Sequence, residues 1–136
     1  MRIGLVSRDE VNRDLARRMI PEEMELECCD MDGGLRGAIN GGLRGECGSP
    51  GPRIDAWIYD LDQLAPEDRN LILRMLPRAV LRQPVAVLSY SLPGSVRRRL
   101  RASGVLVRRR LDLEVFTELD RMLRATERAT LTSGTA

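Results

Sequence analysis

Short apolar segments alternate with longer amphipathic ones along most of the chain, and this alternation constrains the fold most strongly. Four runs rich in Val, Ile and Leu have the length and composition of strands buried on both faces. They are residues 2–7, 54–59, 84–89 and 104–108. Residues 24–28 alternate apolar and acidic side chains, which is typical of a half-exposed strand near a sheet edge. The sequence therefore predicts five strands.

Helical patterns occupy most of the intervals between these strands. Residues 9–19 repeat apolar side chains at helical spacing, and a proline suited to a first turn opens residues 66–81. Residues 93–102 and 112–126 continue the alternation. The glycine-rich residues 32–52 are interpreted as a short or frayed second helix followed by a loop. The apolar face predicted for the first helix consists of Val11, Leu15 and Met19.

Five β-α units in 136 residues predict one α/β domain with a doubly wound, five-stranded parallel sheet and helices on both faces. This is a flavodoxin-like arrangement. We expect the domain to span residues 1–127 and residues 128–136 to form a flexible C-terminal tail. Ligand chemistry in such folds collects at the carboxyl ends of the strands. The residues predicted to line that edge are Ser7, Arg8, Asp9, Asp60, Leu61, Asp62, Ser89, Tyr90, Arg108, Arg109 and Arg110.

The composition excludes several classes of function. The chain has no histidine, so it lacks the usual general base near neutral pH and the commonest metal ligand. A net charge of +2 gives no general attraction to nucleic acid or membrane, and no apolar run approaches the roughly 18 residues of a membrane span. Cys28, Cys29 and Cys47 lack metal-site or disulfide spacing. These features predict a cytoplasmic protein with reduced thiols.

Two predicted strands end in residues that resemble the receiver domain of response regulators in two-component signalling. Residues 55–60 are similar to the third strand of that family, which ends in the aspartate that accepts a phosphoryl group, and Asp60 is the match. Residues 84–89 are similar to the fourth strand, whose terminal hydroxyl bonds the phosphoryl oxygen in the active state. Ser89 is the match there, and Arg109 falls at the position of the family's lysine. The resemblance implies a receiver-type fold over residues 1–127.

The departures from the family concern the acidic site. The family ends its first strand with an acidic pair that holds Mg²⁺, whereas this chain has Ser7 and Arg8 there. Asp9 lies nearby and, with Asp60, is the candidate metal ligand. We therefore expect no cofactor, and Mg²⁺ only if Asp60 is phosphorylated. Two hypotheses stay open: Asp60 is a working phosphoacceptor, or Arg8 pairs with an aspartate where the metal would lie.

A cluster of arginines lies near the fourth predicted helix and the fifth strand. The resemblance implies a signalling module without enzymatic activity that binds a protein, either a histidine kinase or a downstream signalling protein. A homodimer through the face of the helices at residues 93–102 and 112–126 is a further prediction. The few aromatic residues argue against binding to single-stranded nucleic acid. The arginines predicted to contact a partner are Arg97, Arg98, Arg101 and Arg108.

Two alternatives come from other functional classes. A small flavodoxin-like protein that binds a nucleotide or another cofactor would use the glycine-rich residues 33–51, although no phosphate-binding fingerprint is present. A nucleic-acid adaptor would use Arg97, Arg98 and Arg99 and would bind in a salt-sensitive manner. A phosphorylation-independent receiver-like scaffold is the alternative within the same class.

Overall fold

The computed structural model describes residues 1–30 and 54–134, with side chains described up to residue 129. Helices are numbered within those residues. The glycine-rich segment, for which a short second helix is predicted, lies outside them. The described elements in chain order are β1 Arg2–Val6, α1 Glu10–Met19, β2 Glu25–Cys29, β3 Ala56–Asp60, α2 Pro66–Ala79, β4 Val85–Leu88, α3 Gly94–Ala102, β5 Leu106–Arg108 and α4 Leu113–Gly134.

All five strands join one parallel sheet in the order β2-β1-β3-β4-β5. The central strand, β3, is buried at every position because it has a neighbour on each side and helices cover both faces. This order and the parallel pairing are those of the flavodoxin-like doubly wound fold. The predicted fold class is therefore confirmed, and each strand lies within a residue or two of its predicted bounds.

The core is divided by the sheet into two layers. On one face Trp57 and Tyr59 pack with residues of α2 and α3, and on the other Ala56 and Ile58 pack with residues of α1 and α4. Successive residues of β3 therefore serve opposite layers, as the pleat of a strand requires. Because both layers are apolar, a strand in the middle of the sheet has to be apolar throughout.

Gly4 is required by a close approach between two neighbouring strands. It pairs with Trp57 across β1 and β3, and a Cβ atom built at Gly4 would lie 2.6 Å from the indole ring. Contacts that short do not occur between carbon atoms, so a side chain here would displace the ring. The glycine thus allows the largest side chain of the core to lie flat against β1.

The first helix differs from its predicted apolar face. Asp9 caps α1 by accepting a hydrogen bond from the backbone N–H of Val11 at 3.0 Å, and Val11 itself is 73% exposed. The inward side of the helix instead carries Asn12 and the fully buried Ala16, one turn apart. The polar side chain on the buried face is what the apolar spacing did not reveal.

The last helix continues to Gly134, beyond the predicted end at residue 126. Its buried residues, Val115, Phe116 and Leu119, are those of the predicted apolar stripe. The flexible tail and the domain boundary at residue 127 stay predictions, although the helix passes that boundary. None of the helices described is long and apolar enough to span a bilayer.

The expectation of reduced thiols is wrong for one cysteine. Cys28 carries a free thiol, whereas Cys29, the last residue of β2, is disulfide-bonded.

Candidate functional site

The predicted site residues converge because parallel strands end at one edge of the sheet. Ser7 directly follows β1, Asp60 ends β3, Ser89 directly follows β4 and Arg109 directly follows β5. Val6 of β1 is in register with Tyr59 of β3, which places the next residues of both strands, Ser7 and Asp60, side by side. The strand ends therefore bring these predicted residues to one edge of the sheet, as the parallel pairing requires.

Asp60 is buried, with 4% of its surface exposed, and its carboxylate is held by two neutral donors. Its Oδ2 atom accepts a hydrogen bond from the Ser7 hydroxyl at 2.8 Å and another from the Asn12 side-chain amide at 2.8 Å. Ser7 in turn accepts a hydrogen bond from the backbone N–H of Asp9 at 3.1 Å. Buried carboxylates need such partners, and here a hydroxyl and an amide supply them.

Asn12 is the site residue that the sequence reasoning missed. It lies in the first turns of α1, one turn before the buried Ala16, so its side chain faces the sheet edge where β3 ends. The sequence pattern that could have identified Asn12 is its spacing of four residues from Ala16, which places both side chains on one face of a helix. That pattern is weak evidence, because the same spacing fits a solvent-facing residue when the apolar face is assigned to Val11.

Arg8 does not replace a metal ion. Its side chain is exposed and lies 3.9 Å from the carboxylate of Asp68, at the start of α2. No ion pair to Asp60 or Asp62 occurs among the described residues. The hypothesis that Arg8 neutralises one of those aspartates is therefore wrong.

Asp62 is the acceptor on which the loop after β4 converges. Its Oδ1 accepts hydrogen bonds from the hydroxyls of Ser89 at 2.6 Å and Ser91 at 2.8 Å, and its Oδ2 accepts one from the backbone N–H of Tyr90 at 2.7 Å. Burial acts to raise the pKa of Asp62, but these three bonds and the charge of Arg69 outweigh it and hold the pKa below its ordinary value. The side chain of Asp62 is thus a negatively charged acceptor that holds the loop after β4.

The donor set does not fit Mg²⁺. That ion requires several oxygen ligands in octahedral geometry. Asp60 already accepts two hydrogen bonds through one oxygen, Asp9 caps α1, and Asp62 accepts three hydrogen bonds. In residues 1–30 and 54–134, no three acidic or cysteine side chains are grouped so that they could hold a metal ion. We therefore assign no chemical step to a metal.

A basic pocket lies on the other side of Ser89, between α3 and β5. It has a volume of about 200 Å³. Arg109, predicted at the lysine position, is exposed and belongs to this pocket, and no hydrogen bond joins it to Asp60 in the described structure. Arg98, also predicted to contact a partner, is exposed on α3 outside the pocket lining. The residues lining the pocket are Ser89, Arg97, Arg101, Val107, Arg108 and Arg109.

Solved receiver domains share this fold. The signal receiver domain of a Luxo repressor protein from Vibrio parahaemolyticus matches with a TM-score of 0.66 and 16% sequence identity, over 96% of this chain and 95% of that one. The receiver domain of a Francisella response regulator matches with a TM-score of 0.62 and 15% identity, over 92% and 98% of the two chains. No protein-family model and no curated protein matches the chain.

The chain therefore has the fold of a response-regulator receiver domain, as its sequence predicts. At these identities the likeness establishes the architecture, and the acidic edge has to be interpreted from its own contacts.

Proposed function

We propose that this protein is a receiver-like signalling module that acts by binding another protein, and that its binding state does not depend on phosphorylation of Asp60. The observation that carries the proposal is the hydrogen bond from the Ser89 hydroxyl to Asp62 at 2.6 Å. In the receiver family that the sequence resembles, the hydroxyl at this position bonds the phosphoryl group in the active state. Here it is already bonded to a carboxylate of the chain itself.

The surroundings of Asp60 support the same proposal. Phosphoryl transfer to a carboxylate requires positive charge beside the transferring group, because negative charge spreads over its oxygens. Ser7 and Asn12 are neutral donors, and Arg8, the residue after Ser7, pairs with Asp68. The immediate partners of Asp60 therefore stabilise a carboxylate and supply no cation for phosphoryl transfer.

The proposal also concerns the partner and the compartment. A histidine kinase, a downstream signalling protein or a second copy of this chain are the partners that the resemblance implies. The arginines of α3 and β5 are the surface that we expect to make the contact; Arg98 and Arg101 are exposed, and Arg97 and Arg108 are half-buried. A cytoplasmic location stays a prediction from the sequence, and the disulfide at Cys29 points away from a reducing compartment.

Intact mass after incubation with acetyl phosphate and Mg²⁺ tests the proposal. The wild-type chain is compared with Asp60→Asn and with an ordinary receiver domain treated in parallel. We expect the ordinary receiver to gain one phosphoryl group and both forms of this chain to keep their mass, because the described hydrogen-bond partners of Asp60 are neutral donors.

An Asp60-dependent gain of one phosphoryl group would contradict the proposal and would favour the second candidate, a phosphorylation-responsive receiver. The burial of Asp60 at the end of the central strand is the observation that favours that candidate. A gain that persists in Asp60→Asn would place the phosphoryl group on another side chain and would leave Asp60 without a role in phosphorylation.

A further inference from the structure

The basic pocket beside Ser89 concentrates positive charge without a counter-charge. Its lining includes four guanidinium groups, the pocket arginines Arg97, Arg101, Arg108 and Arg109. None of them takes part in any ion pair found in the described part of the chain, whereas Arg13, Arg17, Arg121 and Arg124 on other helices all do. Like charges held together destabilise a fold unless an anion lies among them.

The hydrogen bonds of the pocket arginines leave much of their donor capacity unused. Arg97 donates to the backbone oxygen of Tyr90 at 3.1 Å, and Arg108 makes only a long contact of 3.4 Å with the carbonyl of Val107. The Nε atom of Arg97 is buried and has no acceptor. The donor groups that those two contacts leave unused on Arg97 and Arg108, together with those of the other two pocket arginines, are therefore available to an acceptor that enters the pocket.

The size and lining of the pocket indicate the class of ligand. Small-molecule sites usually occupy about 300–1,000 Å³ and are mostly apolar, whereas this pocket has about 200 Å³ and Val107 as its single apolar lining residue. Its size and its charged lining suit a compact oxyanion better than an apolar ligand. Guanidinium groups bind phosphoryl oxygens in a bidentate manner, and a phosphomonoester offers three such oxygens and close to two negative charges.

We propose that the pocket between α3 and β5 binds a phosphoryl group carried on a side chain of a partner protein. The inference rests on the proposed function, since it assigns the chemistry of the partner that the module contacts. The rest of the partner lies outside the pocket, where Arg98, Arg99 and Arg110 extend the exposed positive surface. Because Ser89 lines the pocket and also donates to Asp62, the bound group lies next to the loop that Asp62 holds.

The test is a titration of the full chain, followed by the backbone amide NMR signals of Ser89 and Val107 at constant ionic strength. The probes are inorganic phosphate and a short alanine-rich peptide with one phosphoserine, beside the same peptide with serine. Arg101→Gln/Arg109→Gln removes two exposed pocket arginines. Arg74→Gln/Arg78→Gln is the matched control, because it removes the same charge from exposed positions on α2, outside the pocket lining and outside the proposed partner surface.

We expect saturable binding of phosphate and of the phosphopeptide, and none of the serine peptide. The pocket variant should bind at least about tenfold more weakly, and the control variant within about twofold of wild type. Absence of a saturable response, or equal weakening in both variants, would overturn the proposal. Binding of free phosphate without the phosphopeptide would exclude a protein-borne source. A DNA duplex is titrated in the same way, and tighter binding of the duplex than of the phosphopeptide would overturn the proposal and make the surface a nucleic-acid site.

These outcomes are separable from the proposed function. The mass measurement detects phosphorylation of Asp60, whereas the titration detects binding at the pocket arginines. Each experiment can therefore contradict its own proposal without contradicting the other. Circular dichroism of both double variants shows whether they fold, and the exposure of all four substituted arginines leads us to expect that they do.

Discussion

Asp60 and Asp62 are two residues apart but serve different parts of the molecule. Asp60 ends the central strand and is bonded by groups of β1 and α1, whereas Asp62 lies in the following turn and is bonded by the loop after β4. The first ties two strand ends to a helix. The second ties a loop to the turn opposite through hydrogen bonds that favour its charged form.

Asp62→Asn tests how far the loop depends on that charge. The amide group places a donor where the carboxylate accepts hydrogen bonds from Ser89, Tyr90 and Ser91. We expect the free energy of unfolding at neutral pH to fall by about 1–2 kcal/mol, since these bonds partly face solvent. Because the pKa of Asp62 is lowered in the folded state, its contribution is present above the ordinary value of 3.8 and is lost as the pH falls further.

Urea denaturation of both proteins across that pH range provides the measurement. The difference between wild type and Asp62→Asn should shrink as the pH drops, because the protonated acid resembles the amide. Asp14→Asn is the control, since Asp14 is exposed and pairs only with Arg17 one turn away. A difference that stays constant with pH would show that the charge of Asp62 does not hold the loop.

At this scale the sequence identifies candidate residues but not their partners. Asp60, Ser89 and Ser7 were placed correctly because each lies at the end of a buried strand, and the geometry of a parallel sheet fixes where those ends are. Arg8 was assigned the wrong partner because the direction of a long, exposed side chain is decided by which carboxylate lies near it. Only the folded chain shows that this carboxylate belongs to α2.

A buried glutamine in the turn between α2 and β4 bonds two polar groups in and just before the central strand. Gln83, between α2 and β4, accepts a hydrogen bond from the Trp57 indole N–H at 2.9 Å and donates a short one to the backbone oxygen of Ile54. It is 4% exposed. The side chain thus satisfies two polar groups on the sheet that water does not reach.

Gln83→Leu should destabilise the protein although it keeps the shape of the side chain. The substitution leaves a buried donor and a buried acceptor without partners, which costs about 1–3 kcal/mol for each group. Urea denaturation followed by fluorescence measures the loss, and Trp57, the single tryptophan of the chain, is itself the probe.

Gln63→Leu is the matched control because Gln63 is exposed in the turn after β3. Its free energy of unfolding should stay within about 0.5 kcal/mol of wild type. Equal stability of Gln83→Leu and Gln63→Leu would show that the two groups bonded by Gln83 find other partners in the folded protein.

Strands were easier to predict from the sequence than helix ends. A run of Val, Ile and Leu between polar residues favours a buried strand, whereas residues 127–134 mix good helix formers such as Arg128 and Ala129 with Thr and Ser, so their composition does not fix where the helix ends. The chain there continues the helix that Leu119 and Phe116 anchor in the core. Context, rather than composition, sets that end.

The whole molecule is organised around the sheet, and Tyr59 lies near its centre. The ring is fully buried and stacks on Trp57 with centroids 5.9 Å apart. Burial raises the pKa of Tyr59 above the ordinary 10.0, because an ionised phenol in the core would lose its hydration. The phenol therefore ionises more readily in the unfolded chain than in the folded one.

Stability should consequently be unaffected by Tyr59 below pH 10 and fall as the pH rises above it, because the unfolded state then releases the proton more readily. Tyr90→Phe leaves Tyr59 as the single tyrosine. In that variant we expect tyrosinate absorbance to appear together with the loss of circular dichroism. Ionisation that precedes unfolding would show that solvent reaches the phenol in the native state.

The two edges of the sheet differ from its centre in a way that affects how copies of the molecule meet. An edge strand offers unpaired backbone groups to which another chain can add, which is a route to aggregation. The edge strand β2 carries Glu25 and Glu27, both bonded to Arg2, and the opposite edge strand, β5, has three residues and ends in arginine. Charge at one edge and shortness at the other therefore disfavour the growth of this sheet from molecule to molecule.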